Sequence, residues 1–93
     1  MTYELGFLEP ALKEWRKLDA TVRQQFKARL LERLDVPRVP SAKLHGHPDR
    51  YKIKLKSVGY RLVYEVRDKH VTVIVVAVGK RECDAVYLAA AKR

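Results

Sequence analysis

Apolar residues change their spacing several times along the chain, and each change predicts an element. Tyr3, Leu5 and Phe7 alternate with polar or small neighbours, the period of a short strand. Pro10 stands where a first helical turn tolerates proline, and Leu12, Trp15 and Leu18 follow at helical spacing, so residues 9–18 read as a short helix. Thr21 with Gln24 has the form of a capping box, and Val22, Phe26, Leu30 and Leu34 then mark a second helix at four-residue steps. Its opposite face carries Arg23, Lys27, Arg29 and Arg33. Residues 35–49, broken by Pro37, Pro40, Gly46 and Pro48, read as irregular. From Tyr51 the period becomes two, with Tyr51, Ile53 and Leu55 set against Lys52, Lys54 and Lys56. Ser57-Val58-Gly59 makes a turn, Tyr60 to Val66 returns as a strand, and Val71 to Val78 is apolar on both faces, as a central strand would be. Residues 82–91 suit a last short helix.

The order strand, two helices, three strands, helix predicts an α+β domain. Its sheet would be four-stranded, curved and mostly antiparallel, with the two N-terminal helices packed on one face and a short C-terminal helix. With 93 residues the chain reads as one domain, 1–93, with a small core. No apolar run reaches the roughly 20 residues of a membrane span, and Met1-Thr2-Tyr3-Glu4 lacks the form of a signal peptide. A lone cysteine, Cys83, excludes an internal disulfide and a Cys-based zinc site. These features together point to the cytoplasm.

Charge narrows the function. Twenty Lys and Arg against eleven Asp and Glu give a net charge of +9, a field that draws polyanions, nucleic acid first. Conventional catalytic sets are missing: there is no phosphate loop and there are no paired carboxylates. His45 and His47 flank Gly46 without a third ligand at suitable spacing, so neither a metal nor another cofactor is expected. What stands out is cationic. Lys52, Lys54 and Lys56 share one side of their strand, and Arg61 faces the same side on the return strand. Arg81 lies beyond the central strand beside Lys80, and Tyr87 arrives on the last helix. Cations on a phosphate with an aromatic on a base suit RNA.

The segments ALKEWRKL (11–18), YKIKL (51–55), GYRLVYEV (59–66) and VGKRE (78–82), with Val86-Tyr87 after them, closely resemble the RelE family of bacterial toxins over essentially the whole chain. The resemblance implies the toxin of a type II toxin–antitoxin system. Such a toxin is a metal-independent endoribonuclease that enters the ribosomal A site, contacts 16S rRNA and cleaves the mRNA codon there. A RelB-like antitoxin with an acidic toxin-binding segment would hold it inactive. It implies Lys52, Lys54, Arg61, Arg81 and Tyr87 as the catalytic set. Lys54 would be general base with Lys52 assisting, clustered cations easing deprotonation of the lysine. Arg61 would stabilise the phosphorane-like transition state, Arg81 would neutralise the leaving 5′-oxygen, and Tyr87 would orient a base. Arg23, Lys27, Arg29, Arg33, Lys43, His45, Lys56 and Lys80 would hold RNA. Position 45, arginine in relatives, is His45, and the few apolar residues that often follow Arg93 are missing; either difference bears on ribosome affinity or antitoxin grip. Two other readings remain: a ParE-like toxin that poisons gyrase, and a binding module without activity.

Overall fold

The structure is a computed structural model that describes residues 3–80 and 85–93. Strand β1 (Glu4–Phe7) leads into helix α1 (Glu9–Arg16) and helix α2 (Ala20–Asp35). After a 3-10 turn at Pro40–Ala42 come β2 (Arg50–Leu55), β3 (Tyr60–Arg67), a second 3-10 turn at Asp68–His70, β4 (Thr72–Lys80) and α3 (Ala85–Ala91). The strands form one sheet in the order β1-β4-β3-β2, with β1 parallel to β4 and the other pairs antiparallel. This is the α+β arrangement that the apolar periods predict, with β4 central as its two apolar faces require.

The two faces of β4 serve two cores. Val22, Phe26, Leu30 and Leu34 of α2 lie with Ala11 of α1 against Ile53, Leu62, Tyr64, Val73 and Val75 on one face of the sheet. On the other face α3 sets Val86 and Ala90 against Val63, Val76 and Ala77. Between these sets the β3–β4 register shifts: Val63 pairs with Ala77 but Tyr64 pairs with Val75, which leaves Val76 as a β-bulge. The extra residue lets neighbouring valines on one strand feed both cores. Helix α1 continues where β1 stops, along the outer edge of β4: the Leu8 amide donates to Val75 O (3.0 Å), and the Val78 amide donates to Glu14 Oε1 (3.3 Å).

Two local expectations need correction. Helix α2 starts at Ala20 with Asp19 as its cap residue and no side-chain cap bond, so Thr21 lies inside the first turn and the capping box does not form. Strand β2 ends at Leu55, so Lys56 opens the turn instead of extending the lysine stripe.

Candidate active site

The β2–β3 hairpin builds the cationic face. Leu55 O accepts from the amides of Val58 (3.3 Å) and Gly59 (2.9 Å). Gly59 has φ of 68°, a conformation open to glycine and strained for other residues. This turn fixes the register: Lys54 faces Arg61, Lys52 faces Val63, and Arg50 faces Glu65. Opposed residues of an antiparallel pair share a face with Cβ atoms about 4.5–5.5 Å apart. Lys54 and Arg61 therefore form one cationic rung, with Lys52 on the next. Lys56, though outside the strand, borders Arg61 in a niche of about 20 Å³.

Helix α3 supplies the aromatic. It crosses the sheet over Gly79, where an added Cβ would stand 3.3 Å from Val86 Cγ2, so the glycine permits this close approach. With Val86 turned down, Tyr87 overlooks β2. Tyr87 and Lys52 line one cavity of about 570 Å³, together with His45, Arg50 and Leu88. The Tyr87 hydroxyl is buried, with no hydrogen-bond partner among the described residues.

On the same face, one rung beyond Lys52, lies an ion-pair cluster that no single motif marks. Glu65 Oε1 accepts from Arg50 Nε (3.0 Å) and Oε2 from Arg67 Nε (2.7 Å), while His47 Nε2 stands 3.6 Å from Oε1. Burial alone would raise the Glu65 pKa, but the bonds from Arg67 and Arg50 outweigh it and hold the carboxyl below its usual range. Arg50 also donates to Ala90 O at the end of α3. The signal was present in the sequence: once the turn is centred between Lys56 and Gly59, the same count that pairs Lys54 with Arg61 pairs Arg50 with Glu65.

The remaining candidates divide. Lys27, Arg29, Lys43, His45 and Lys80 are exposed. Lys80 pairs with Tyr60, whereas Arg61 pairs with Gly79, so Lys80 stands on the sheet face opposite Lys54 and Arg61. Arg33 turns inward: its Nη1 donates to Tyr64 Oη (2.8 Å) and its guanidinium lies 5.8 Å from the Tyr64 ring centroid. It flanks the apolar stripe of α2, and its long side chain reaches back over the core, which removes it from the solvent-facing set. Arg23 folds back onto Leu18 O (3.1 Å). Arg81 and Cys83 lie outside the described residues. Among the described residues no group of three or more His, Cys, Asp or Glu is placed to hold a metal, and no helix is long and apolar enough to cross a membrane.

Chemically, the face can neutralise a phosphodiester with Lys54 and Arg61 and receive a base against Tyr87. Comparison with known proteins gives the same direction. The family described as "ParE toxin of type II toxin-antitoxin system, parDE" matches residues 5–85. The mRNA interferase toxin RelE of Escherichia coli (strain K12) is 59% identical over 93 residues, covering 100% of this chain and 98% of that protein. Among solved structures, a free mutant of E. coli toxin RelE superposes with a TM-score of 0.92 at 58% identity, covering 100% of this chain and 98% of the other. The toxin in the intact E. coli RelBE toxin–antitoxin complex superposes at 0.83 with 60% identity, covering 86% of this chain and 98% of the other.

Proposed function

Because the chain belongs to the RelE branch of the ParE-toxin family of type II toxin–antitoxin systems, we propose that it is an endoribonuclease that cleaves mRNA in the ribosomal A site and so stops translation. The observation that carries the reading is the Lys54–Arg61 rung with Lys52 and Tyr87 beside it on one open sheet face. Lys54 takes the proton of an RNA 2′-hydroxyl, whose oxygen attacks the adjacent phosphorus. The new O2′–P bond replaces the P–O5′ bond, which leaves a 2′,3′-cyclic phosphate and a 5′-hydroxyl. Arg61 stabilises the charge gathering on the phosphoryl oxygens, and Lys52 holds the phosphate or assists the base. Arg81 neutralises the departing 5′-oxygen, which takes its proton from solvent water because a guanidinium is a poor proton donor at neutral pH, and Lys54 returns its proton to solvent afterwards. Tyr87 orients a base. Lys27, Arg29, Lys43, His45, Lys56 and Lys80 hold rRNA by charge.

The ribosome is part of the reaction. A few cations orient a flexible RNA poorly, and an RNA already held in place gains the large rate advantage of fixed geometry. The toxin acts in the cytoplasm as one domain, 1–93, with a RelB-like antitoxin whose acidic segment folds on the basic surface and displaces α3 or covers the lysine face. The deciding experiment incubates the protein with translating ribosomes and maps new 5′ ends on the mRNA. Cuts inside the A-site codon, with naked mRNA intact at physiological salt, are the expected result. Efficient site-selective cutting of naked mRNA would overturn ribosome dependence. Uncut mRNA on ribosomes would overturn the activity and leave gyrase poisoning or simple binding.

A further inference from the structure

Helix α3 is held by a small apolar cluster, with Tyr87 and Ala89 packed beside its buried residues. It has seven residues and buries only Val86 and Ala90, and a helix that short does not persist unaided. Polar ties supply the rest. Arg50 Nη1 donates to Ala90 O, in the last turn, where a cation also complements the helix dipole. The same guanidinium is oriented from its other side by Glu65, which Arg67 orients in turn. At the far edge, Arg93 Nη1 reaches Val76 O (2.9 Å) and Glu14 Oε1 (2.7 Å).

The spacing makes the Arg50 tie specific. Arg50 and Lys52 are two apart on β2 and share a face, while Tyr87 and Ala90 are three apart on α3 and share a side. The Arg50–Ala90 tie therefore lies one rung along β2 from the cavity that Lys52 and Tyr87 line together. The tie fixes the height and rotation of α3, and the cavity inherits them. With side chains 11% and 14% exposed, Arg50 divides its donors between Glu65 and the helix, and Glu65 divides its oxygens between Arg50 and Arg67. We infer that Arg50, oriented by Glu65, is a positioning residue for cleavage, setting Tyr87 over Lys52 by anchoring the C-terminal turn of α3. This rests on the proposed role of Tyr87.

The test is single-turnover cleavage on programmed ribosomes at saturating toxin, with Arg50→Ala made in both the native and the Tyr87→Ala backgrounds. In the native background the saturated rate should fall by about tenfold or more, since small misplacements are costly. The half-saturating concentration and its salt dependence should stay near those of the native protein. Arg50→Lys should recover part of the rate, because an ammonium keeps the charge without the fork that serves two acceptors. In the Tyr87→Ala background, Arg50→Ala should add less than about twofold. An equal loss in both backgrounds overturns the inference, as does weaker binding with an unchanged saturated rate, which would make Arg50 a phosphate contact. Glu65→Gln, nearly isosteric, covers the case in which Arg50→Ala does not fold: a slowed rate is expected, and an unchanged one overturns the role of Glu65. Tyr87→Ala at the native rate overturns the underlying role of Tyr87, and this inference with it.

Discussion

Arg33→Ala removes a guanidinium that helical spacing assigns to the solvent face and that the fold turns onto Tyr64. The lost hydrogen bond runs from Arg33 Nη1 to Tyr64 Oη over 2.8 Å, part-buried, and bonds to charged groups contribute about 1.5–3 kcal/mol. The ring contact at 5.8 Å adds at least about 0.5–1 kcal/mol at this partly buried site. Tyr64 Oη still donates to Pro37 O (2.7 Å), so the hydroxyl is not orphaned and the lower end applies. The expected loss is about 2 kcal/mol, or about 8–16 °C in Tm for a domain of this size. Thermal unfolding followed by circular dichroism measures it. Lys27→Ala with Arg29→Ala provides the contrast. Both side chains are exposed, so Tm should barely move, while the log–log salt slope of ribosome binding should fall by about one unit per lost phosphate contact. A native Tm for Arg33→Ala, with the salt slope reduced by about one, would refute the assignment and return Arg33 to the RNA-facing set.

Three further outcomes test other parts of the molecule. Lys54→Ala should cut single-turnover cleavage on ribosomes by at least about 10²-fold with near-native ribosome affinity; the reverse pattern would make the lysine face a docking surface. The Glu65 carboxyl is held below its ordinary value of 4.5, so its ion pairs stabilise the fold fully above that value and are lost as pH falls through the lower, folded one. Urea unfolding between about pH 5 and pH 3 should therefore show a steeper stability loss in the native protein than in Glu65→Gln, and parallel profiles would refute the linkage. Val71 adopts φ 48° and ψ 48°, a left-handed conformation costly for a β-branched residue. Val71→Asn should raise stability by about 1 kcal/mol in urea unfolding, and an unchanged midpoint would mean that the turn carries no strain.

What the sequence could disclose depended on whether one local rule decided the matter. Strand alternation across a short turn is such a rule, and it placed Arg61 on the face of Lys52 and Lys54 because a one-residue slip would have exposed Ile53 and Leu55; the pairing of Arg61 with Lys54 itself came from the register. The central place of β4 was legible for the same reason, since only a strand covered on both faces remains apolar through Val78. The bulge at Val76 was not, because nothing within a run of valines marks which residue loses its partner. Thr21 failed as a cap because its box competes with tertiary packing that starts the helix at Ala20 and sends Val22 into the core. Arg33 failed because helical spacing locates a Cβ, while a long side chain at the border of the stripe chooses between water and the face of a buried tyrosine. The Arg50–Glu65 pair marks the intermediate case. Its register was readable from the turn, but its reach to Ala90 O joins residues 40 positions apart. The lysines proposed for catalysis could thus be placed from the hairpin alone, whereas the anchor proposed for Tyr87 depends on how α3 closes over the sheet.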